Sequence, residues 1–332
     1  MNSRTLGLIG AGYWGKNLAR NFNELGALHT LCDLSHAILD SYGAEYQAVR
    51  KTSDIASIWA DSTVTAVAIA APAVHHHRLA KAALLAGKDV YVEKPLCLQG
   101  AEADELTMLA RQAGRILMVG HLLQYHPHVR QLQEWVKAGE LGGVRYIASH
   151  RLSLGKFRRE ENVLWSFAPH DISVILSLAG DQLPQRVSCV GSGHLTPGVQ
   201  DTIAMTMAFA GGLAAHVYAN WANPFKEQKL TVVGDKAIAV FDDTKPWAEK
   251  LALYRDYHEA GPAGPQPRKV SALFAAVAEA EPLRAECDHF IQCCRTRATP
   301  RTDGVEGKRV LDVLHASQES LDSGQTVDLS RQ

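Results

Sequence analysis

The sequence of 332 residues lacks long apolar runs, an excess of charge of one sign, and any block rich in lysine or arginine. The 34 lysine and arginine residues nearly balance the 35 aspartate and glutamate residues, which leaves a formal net charge of −1. A chain so close to neutral has no overall field to hold a polyanion, so we do not expect a nucleic-acid partner. No apolar stretch approaches the roughly 18 residues of a membrane span, so no membrane association is expected.

A secretory signal is also missing, because MNSRTLGLIG has none of the charged, apolar and small-residue regions of such a signal. We therefore expect a cytoplasmic protein. Its 46% apolar and 21% charged residues are ordinary for a globular enzyme, and its length allows two domains. No internal repeat is evident.

Cysteine is scarce, and the six cysteines form no C-x-x-C pair and no zinc-like spacing. We expect reduced thiols, mostly buried. The clearest metal candidate is the histidine run at residues 75–77, but consecutive side chains on a helix point in different directions and cannot all face one ion. No metal site is predicted.

The most informative stretch is Thr5–Leu34. The apolar run Leu6–Ile9 predicts a buried parallel strand, and it leads into GAGYWG at residues 10–15, which is G-x-G-x-x-G. A helix and a second strand, Leu28–Cys32, should follow, ending at Asp33. In a Rossmann unit the glycines let the backbone approach a pyrophosphate, the helix amino end attracts it, and the acid binds the ribose hydroxyls. We predict dinucleotide contacts from Gly10, Gly12, Tyr13, Trp14, Gly15 and Asp33.

Asp33 also indicates which dinucleotide binds. Its carboxylate would repel a 2′-phosphate, and the next residues, LSH, supply no arginine to bind one. We therefore expect NAD as cofactor.

Helix and strand patterns alternate as far as His121 and then give way, from Val144, to long β-type segments joined by turns. The predicted fold is of the α/β class. It comprises a doubly wound parallel sheet in a Rossmann domain at residues 1–122, and an α+β domain with a mostly antiparallel sheet at residues 123–332. Two closing helices, near residues 283–295 and 305–320, should cover one face of the second sheet. The proline- and glycine-rich residues 260–268 should form an exposed excursion.

Ligands of a doubly wound sheet bind beyond the carboxyl ends of its strands. Residues 10–15, 71–76, 93–95 and 120–125 should converge there. Lys94 is a candidate functional residue because it ends a strand within an apolar run, where a structural lysine is seldom found. A solvated lysine at a strand end is the alternative.

His170, at the start of a helix in the second domain, is the other candidate. A neutral imidazole can accept a hydroxyl proton at physiological pH while hydride leaves the same carbon, which suits alcohol oxidation. Alternatively, His170 and Asp171 form a helix-start pair in which the acid interacts with the helix dipole.

Four motifs together resemble the glucose-fructose oxidoreductase and inositol dehydrogenase family, Gfo/Idh/MocA. They are GAGYWGKN, A-P-x-x-x-H at residues 71–76, VYVEKPL with Gly87-Lys88 before it, and W-x-x-x-x-H-D at residues 165–171. The resemblance implies an open-faced second sheet, a nicotinamide cofactor and oxidation or reduction of a sugar or cyclitol hydroxyl. It also implies assembly of two or four copies through sheet faces.

The same resemblance assigns roles to individual residues. Lys94 should hydrogen-bond the reacting oxygen and reach the cofactor, and His170 should be the catalytic histidine. Two positions depart from the family pattern: Ser166 stands where an aspartate is common, and Gln124 where many relatives have arginine. The further cofactor contacts that it implies are Ala71, Pro72, His76, Glu93, Lys94 and Gln124.

Within the family, GYWGKNLARNF, GHLLQYHP and RLSLGKFRREENVLW most resemble bacterial sugar-nucleotide dehydrogenases. Those enzymes oxidise C3 of UDP-N-acetylglucosamine or its uronate and supply a ketone to an aminotransferase in amino-sugar, lipopolysaccharide and lipid A synthesis. Cations in the loop at residues 155–162 suit a diphosphate, although a solvated loop or a subunit contact is an alternative. The predicted substrate residues are Lys94, Tyr125, Arg151, Lys156, Arg158, Arg159, Asn162, Trp165 and His170.

Two other functions stay open. One is a dehydrogenase for an unattached sugar or cyclitol, and the other is a dinucleotide sensor or assembly subunit without turnover. Joint retention of Lys94 and His170 favours an enzyme, because a sensor has no reason to keep both.

Overall fold

The computed structural model describes residues 4–155, 157–261 and 264–330. These residues form two compact units. The first contains the chain up to Tyr125 together with Ala280–Leu311, and the second contains His126–Glu279 and the chain from Asp312 onward. The sequence-based prediction places the domain boundary between residues 122 and 123. It does not assign Ala280–Leu311 to the first unit.

The elements are numbered in chain order. The helices are α1 (Gly15–Glu24), α2 (His36–Asp40), α3 (Ala56–Ala60), α4 (His76–Leu85), α5 (Gly100–Gln112), α6 (Pro127–Lys137), α7 (Val163–Leu178), α8 (Pro282–Thr296) and α9 (Gly304–Ser323). The strands of the first unit are β1 (Leu6–Ile9), β2 (Leu28–Cys32), β3 (Arg50–Thr52), β4 (Ala66–Ile69), β5 (Asp89–Glu93) and β6 (Leu117–Gly120). Those of the second are β7 (Val144–Leu154), β8 (Arg186–Ser192), β9 (Thr202–Ala208), β10 (Ala214–Asn220), β11 (Ala222–Gly234), β12 (Ala237–Asp242), β13 (Leu251–Arg255), β14 (His258–Gly261), β15 (Gly264–Pro267), β16 (Leu273–Phe274) and β17 (Val327–Asp328).

The sheet of the first unit is parallel, with the strand order β3-β2-β1-β4-β5-β6 in the described residues. Every residue of β1, β4, β5 and β6 is buried, which explains why these strands read as short apolar runs. The strand order reverses between β1 and β4, as in doubly wound dinucleotide-binding folds. The predicted Rossmann sheet is confirmed.

Helix α8 lies in the first unit, against α1. Phe290 of α8 makes edge contacts with Phe22 and Tyr91 at ring-centroid distances of 6.4 and 5.8 Å. At the surface of this contact Arg284 pairs with Glu24 at 2.9 Å. The prediction that α8 covers the second sheet is wrong, because the apolar side of α8 packs against α1 and Tyr91. The prediction is confirmed for the second half of α9, where the Ser320 hydroxyl accepts a hydrogen bond from the backbone of β8.

The second sheet, in the described residues, has the order β16-β13-β12-β11-β7-β10-β9-β8-β17. Only the pairing of β7 with β10 is parallel in it, so the predicted, mostly antiparallel sheet is confirmed. Ile147 and Val217 face α7 and are buried. On the opposite face Tyr146 and Tyr218 are 37% and 39% exposed, which gives the sheet its open face.

Three smaller expectations can be compared with the structure. Strands β14 and β15 form an exposed antiparallel ribbon, so the excursion at residues 260–268 is exposed but more regular than predicted. All six cysteines are free, and five are buried. Across the described ranges, no helix combines the length and apolarity needed to cross a bilayer.

Candidate functional site

The carboxyl ends of adjacent parallel strands bring the predicted cofactor stretches to one edge of the first sheet. Ile9 of β1 pairs with Ile69 of β4, and Glu93 of β5 pairs with Gly120 of β6. Three stretches therefore follow neighbouring strands at the same edge: the glycine loop at residues 10–15, the segment beginning at Ala71, and Lys94. This edge is where a doubly wound fold binds its ligand.

The structural reason for glycine differs among the three glycine positions of the loop. Gly10 has φ +88°, and a Cβ there would lie 2.7 Å from the backbone of Ala70 and Ala71. A Cβ on Gly15 would collide with the carbonyl oxygen of Gly10. At Gly12, by contrast, a Cβ would meet only Ile38, at 3.8 Å. Packing does not require glycine at position 12, which leaves its open side for the close approach of a ligand.

The amino end of α1 fits an anionic ligand. No side chain in the described part of the chain caps its first turn at Trp14, and that turn contains no acidic residue. The positive end of the helix dipole can therefore act on a pyrophosphate, while the N–H groups of Lys16 and Asn17 in that turn donate to the carbonyl oxygens of Gly12 and Trp14.

Asp33 is held at the end of β2 by two backbone donors. Its Oδ2 accepts a hydrogen bond from the N–H of Ala11 at 2.8 Å, and its Oδ1 accepts one from the N–H of Ser35 at 2.9 Å. Each carboxylate oxygen keeps a second acceptor position for a ribose hydroxyl. Beside it, Tyr13 and Leu34 are 81% and 89% exposed. The residues present therefore fit NAD.

Trp14 and Glu93 connect the glycine loop to the E-K-P segment, which is residues 93–95. The indole Nε1 of Trp14 donates to Oε1 of Glu93 at 2.6 Å, and the backbone N–H of Lys94 lies 3.3 Å from Oε2 of Glu93. These polar atoms hold two loops together, and the cofactor contacts of Trp14 and Glu93 stay predictions. Burial raises the pKa of Glu93, while the bonds from Trp14 and Tyr91 act in the opposite direction.

His76 also joins two loops. Its ring is 1% exposed, with Nδ1 2.7 Å from the carbonyl oxygen of Pro95 and Nε2 2.8 Å from that of Ala71. Burial lowers the pKa of His76. The ring nitrogens thus lie at hydrogen-bond distance from both loops, and a cofactor contact by His76 stays a prediction. Pro72 is the residue before the turn that leads into α4.

Lys94 is partly buried, directly after β5, and its peptide bond to Pro95 is cis. The neighbouring segment after β6 is more enclosed than we expect from the sequence. Gln124 is 2% exposed, and Tyr125 is 3% exposed with its hydroxyl 3.0 Å from that of Thr302. Tyr125 belongs to the core of the first unit, and its role in substrate binding stays a prediction.

A buried pair beside this segment is not predicted from the sequence. Nδ1 of His121 lies 2.6 Å from Oε2 of Glu306, and the two side chains are 2% and 7% exposed. The residues are 185 positions apart, so no local pattern could link them.

In the second unit, His170 is partly buried in α7, directly after Pro169. The next residue, Asp171, faces away from solvent and accepts three hydrogen bonds. Arg151 donates from Nε at 2.6 Å and from Nη2 at 3.0 Å, and the Ser149 hydroxyl donates at 2.7 Å. Arg151, a predicted substrate residue, thus ties α7 to β7, and Asp171 serves this pair and not the helix dipole.

Asn162 and Trp165 hold the start of α7 against α9. Asn162 caps α7 by accepting the Trp165 N–H at 3.2 Å, and its Nδ2 donates to Oε1 of Gln318 at 2.9 Å. The indole of Trp165 donates to the same oxygen at 3.1 Å. These contacts fix the start of α7, and the substrate roles of both side chains stay predictions. Ser166, also buried, accepts a hydrogen bond from the Trp221 indole at 3.1 Å.

The basic loop at residues 155–162 is only partly described, and Lys156 lies outside the described residues. Arg158 pairs with Glu161. The Arg159 guanidinium is exposed and has no carboxylate partner in the part of the chain that the structure describes. Arg159 is therefore the better placed of these two arginines to meet an anionic substrate.

The doubly wound sheet and the features at its carboxyl edge define a dinucleotide-binding protein whose residues fit NAD. Residues 4–121 match the profile of an oxidoreductase family with an NAD-binding Rossmann fold, and residues 129–240 match the GFO/IDH/MocA C-terminal domain. The chain belongs to the Gfo/Idh/MocA oxidoreductase family.

Similar proteins include the UDP-N-acetylglucosamine 3-dehydrogenase of Acidithiobacillus ferrooxidans, which is 26% identical over 92% of this chain and 93% of that protein. Its crystal structure superposes with a TM-score of 0.84 at 24% identity, covering 96% of this chain and 98% of that one. The D-apiose dehydrogenase of Paraburkholderia graminis is 22% identical over 97% of this chain and 88% of that protein. An oxidoreductase of Agrobacterium radiobacter, solved with NAD⁺, L-tartaric acid and magnesium, has a TM-score of 0.83 at 17% identity, covering 99% of each chain.

Proposed function

We propose that this protein oxidises the C3 hydroxyl of UDP-N-acetylglucosamine to the 3-keto sugar, with NAD as oxidant. The observation that carries the proposal is the similarity, over nearly the full length of both chains, to a UDP-N-acetylglucosamine 3-dehydrogenase. The placement of Lys94 at the cofactor edge and of His170 on a helix held by Arg151 supports it. The ketone would feed an aminotransferase in amino-sugar synthesis of the lipopolysaccharide or lipid A type.

Bound NAD would supply the hydride acceptor for oxidation at C3. The uncapped end of α1 and the open side of Gly12 would hold its pyrophosphate, and Asp33 would hold the ribose. His170 accepts the proton of the substrate hydroxyl, and the Lys94 ammonium donates a hydrogen bond to the oxygen as negative charge develops there.

Ser166 bears on this assignment. A serine cannot take the proton-accepting role of the family's common aspartate, and its oxygen accepts the Trp221 indole. His170 and Lys94 therefore carry the acid–base chemistry, while Asp171 and Arg151 position the helix that bears His170. The exposed Arg159 is proposed to bind the diphosphate of the nucleotide sugar.

The test is a substrate panel with purified protein and NAD, in which NADH is recorded and the ketone is trapped with a hydrazine. UDP-N-acetylglucosamine should give NADH and a trapped 3-keto product, and free N-acetylglucosamine should give neither. Turnover of the UDP-uronate alone would move the substrate assignment to that sugar. Turnover of inositol or an unattached sugar alone would reject the nucleotide-sugar assignment and keep the enzyme class.

An unattached sugar is the second candidate substrate, supported by the similarity to a D-apiose dehydrogenase. A dinucleotide sensor is the candidate from another class, and it predicts NAD binding without turnover of any sugar in the panel. We further propose a homodimer or homotetramer formed through the open face that bears Tyr146 and Tyr218. Light scattering of the purified protein measures its mass and tests this assembly.

A further inference from the structure

Two buried carboxyl groups of the first unit lie on either side of one tyrosine hydroxyl. The Tyr91 hydroxyl oxygen is 3.0 Å from Oε1 of Glu93 and 3.1 Å from Oε2 of Glu286. Tyr91 and Glu286 are fully buried, and Glu93 is 9% exposed. Glu286 comes from α8, 195 residues beyond Tyr91.

A hydroxyl carries a single hydrogen, so Tyr91 can donate to only one of these carboxyl groups. If both were ionised, the other carboxylate would face a hydroxyl lone pair at hydrogen-bond distance, and two like charges would lie close together away from water. That arrangement is costly on both counts. One proton shared between Glu93 and Glu286 removes both costs.

The surroundings of the two groups decide which one holds the proton. Glu93 accepts the Trp14 indole N–H and the backbone N–H of Lys94, and the Lys94 charge also favours its ionised form. Glu286 has no such donor, and its Oε1 has no hydrogen-bond partner among the described residues. A carbonyl oxygen is left unpaired at lower cost than a carboxylate oxygen.

The ionisable groups that face Glu286 also favour its neutral form. They are Glu93 and Tyr91 on β5, Tyr125 after β6, Cys287 beside Glu286 on α8, and Glu306 on α9. None of these groups is a cation. Burial, together with the negative charges of Glu93 and Glu306, raises the pKa of Glu286 well above its ordinary value.

We propose that Glu286 is a protonated positioning residue, which donates to Tyr91 so that Tyr91 donates to Glu93. Glu93 in turn holds Trp14 of the glycine loop and the backbone of Lys94. Glu286, although distant in the sequence, thus fixes the placement of the glycine loop relative to the E-K-P segment. Gly120 is part of this arrangement, because a Cβ there would lie 2.6 Å from the Tyr91 hydroxyl. The link to NAD binding follows from the fold, and the link to Lys94 chemistry rests on the proposed function.

The protonation state is tested by equilibrium unfolding of wild type and E286Q between about pH 5.5 and 7.5. If native Glu286 is protonated, its ordinary pKa of about 4.3 means that unfolding releases one proton across this range. The wild-type unfolding constant should then rise, relative to that of E286Q, about tenfold per pH unit. A ratio that does not change with pH would show that native Glu286 is ionised and would overturn the proposal.

Infrared spectroscopy locates the same proton directly. The C=O stretch of a protonated carboxyl group should be present in wild type and absent in E286Q. If the band persisted in E286Q and disappeared in E93Q, the proton would be on Glu93 and the assignment would be wrong.

The positioning role is tested by the dissociation constant of NAD in matched variants. E286Q keeps a neutral donor to Tyr91 and should bind NAD within about threefold of wild type, whereas E286M, which has no donor, should bind less tightly than E286Q. Y91F removes a hydrogen bond to a carboxylate and should weaken binding about tenfold or more. The double variant E286M/Y91F should bind NAD no more weakly than Y91F alone, because Glu286 acts through Tyr91.

Equal NAD affinity of E286Q, E286M and Y91F would overturn the positioning role. The positioning role would also be overturned if the free energy of NAD binding lost in the double variant equalled the sum of the losses in E286M and Y91F. These measurements need no substrate turnover, so their failure is distinguishable from failure of the proposed dehydrogenase activity. A turnover panel that failed while the variants behaved as expected would reject the substrate and leave the positioning role in place.

Discussion

Arg151 donates two hydrogen bonds to the carboxylate of Asp171, the residue that follows His170 in α7. The side chains of Arg151 and Asp171 are only 12% and 4% exposed, so this ion pair is buried. Removing one partner of a buried pair leaves an uncompensated charge. We predict that R151M lowers the free energy of unfolding by about 3–5 kcal/mol, measured by urea denaturation.

The double variant R151M/D171L is the matched control for this prediction. It removes both charges, so it should recover most of the stability lost by R151M. If R151M alone were as stable as wild type, the pair would not hold α7.

The two glycines with contrasting surroundings should separate folding from cofactor binding. G12A should keep the melting temperature of wild type, because its Cβ meets only Ile38, but it should weaken NAD binding at least tenfold by occupying the side where the pyrophosphate approaches. G10A should lower the melting temperature, because it combines positive φ with a backbone clash. Calorimetry and NAD titration measure the two effects. Wild-type NAD affinity in G12A would contradict the assignment of this loop.

His128 should make the protein less stable in mild acid. The ring is fully buried against Trp247, and burial, with smaller contributions from His126 and Lys250, lowers its pKa to about 4. In the unfolded chain its pKa is about 6.5, so between these values the unfolded state binds the proton and the native state does not. Stability therefore falls as the pH drops from about 6.5 towards 4, with a contribution of about 2 kcal/mol by about pH 5.

The variant H128F tests this pH dependence. Urea denaturation at about pH 7 and about pH 5 should show that H128F loses less stability on acidification than wild type, by about 2 kcal/mol. H258F, at an exposed histidine, should behave like wild type. An unchanged acid response in H128F would contradict the prediction.

Lys94 and His170 should affect turnover much more than cofactor binding. K94A and H170A should each lower kcat about 100-fold or more, as expected for removal of an acid–base or oxyanion-stabilising group. We expect NAD affinity of H170A to stay within about threefold of wild type. K245A and H258A, at exposed positions, are the matched controls. Rates of K94A or H170A within about threefold of wild type would show that the assigned roles are wrong.

Local patterns were enough to predict the Rossmann sheet and the strands of the second sheet. Burial alternates along β9 and β10 and is continuous along β1 and β4, and both patterns follow from the side-chain types. The place of α8 could not be read in this way. Its apolar stripe fits any apolar surface, and only the folded chain shows that the surface is α1.

The roles of single site residues depended on partners far away in the sequence. Trp14 and Glu93 are 79 residues apart, so the hydrogen bond that links their two loops has no local signature. Tyr125 has a polar end and an apolar ring, and either a substrate or Thr302 could satisfy the hydroxyl. The motifs predict the cofactor edge well, therefore, while the side chains around it need the tertiary structure.

The most direct test of the proposed reaction is the transfer of hydrogen from C3 of the sugar. UDP-N-acetylglucosamine carrying deuterium at C3 is incubated with the protein and NAD, and the reduced cofactor is analysed by mass spectrometry. The proposed function predicts reduced cofactor that carries one deuterium from the sugar, together with a slower rate if hydride transfer limits turnover. Reduced cofactor without deuterium, or no reduction with this substrate, would contradict oxidation at C3.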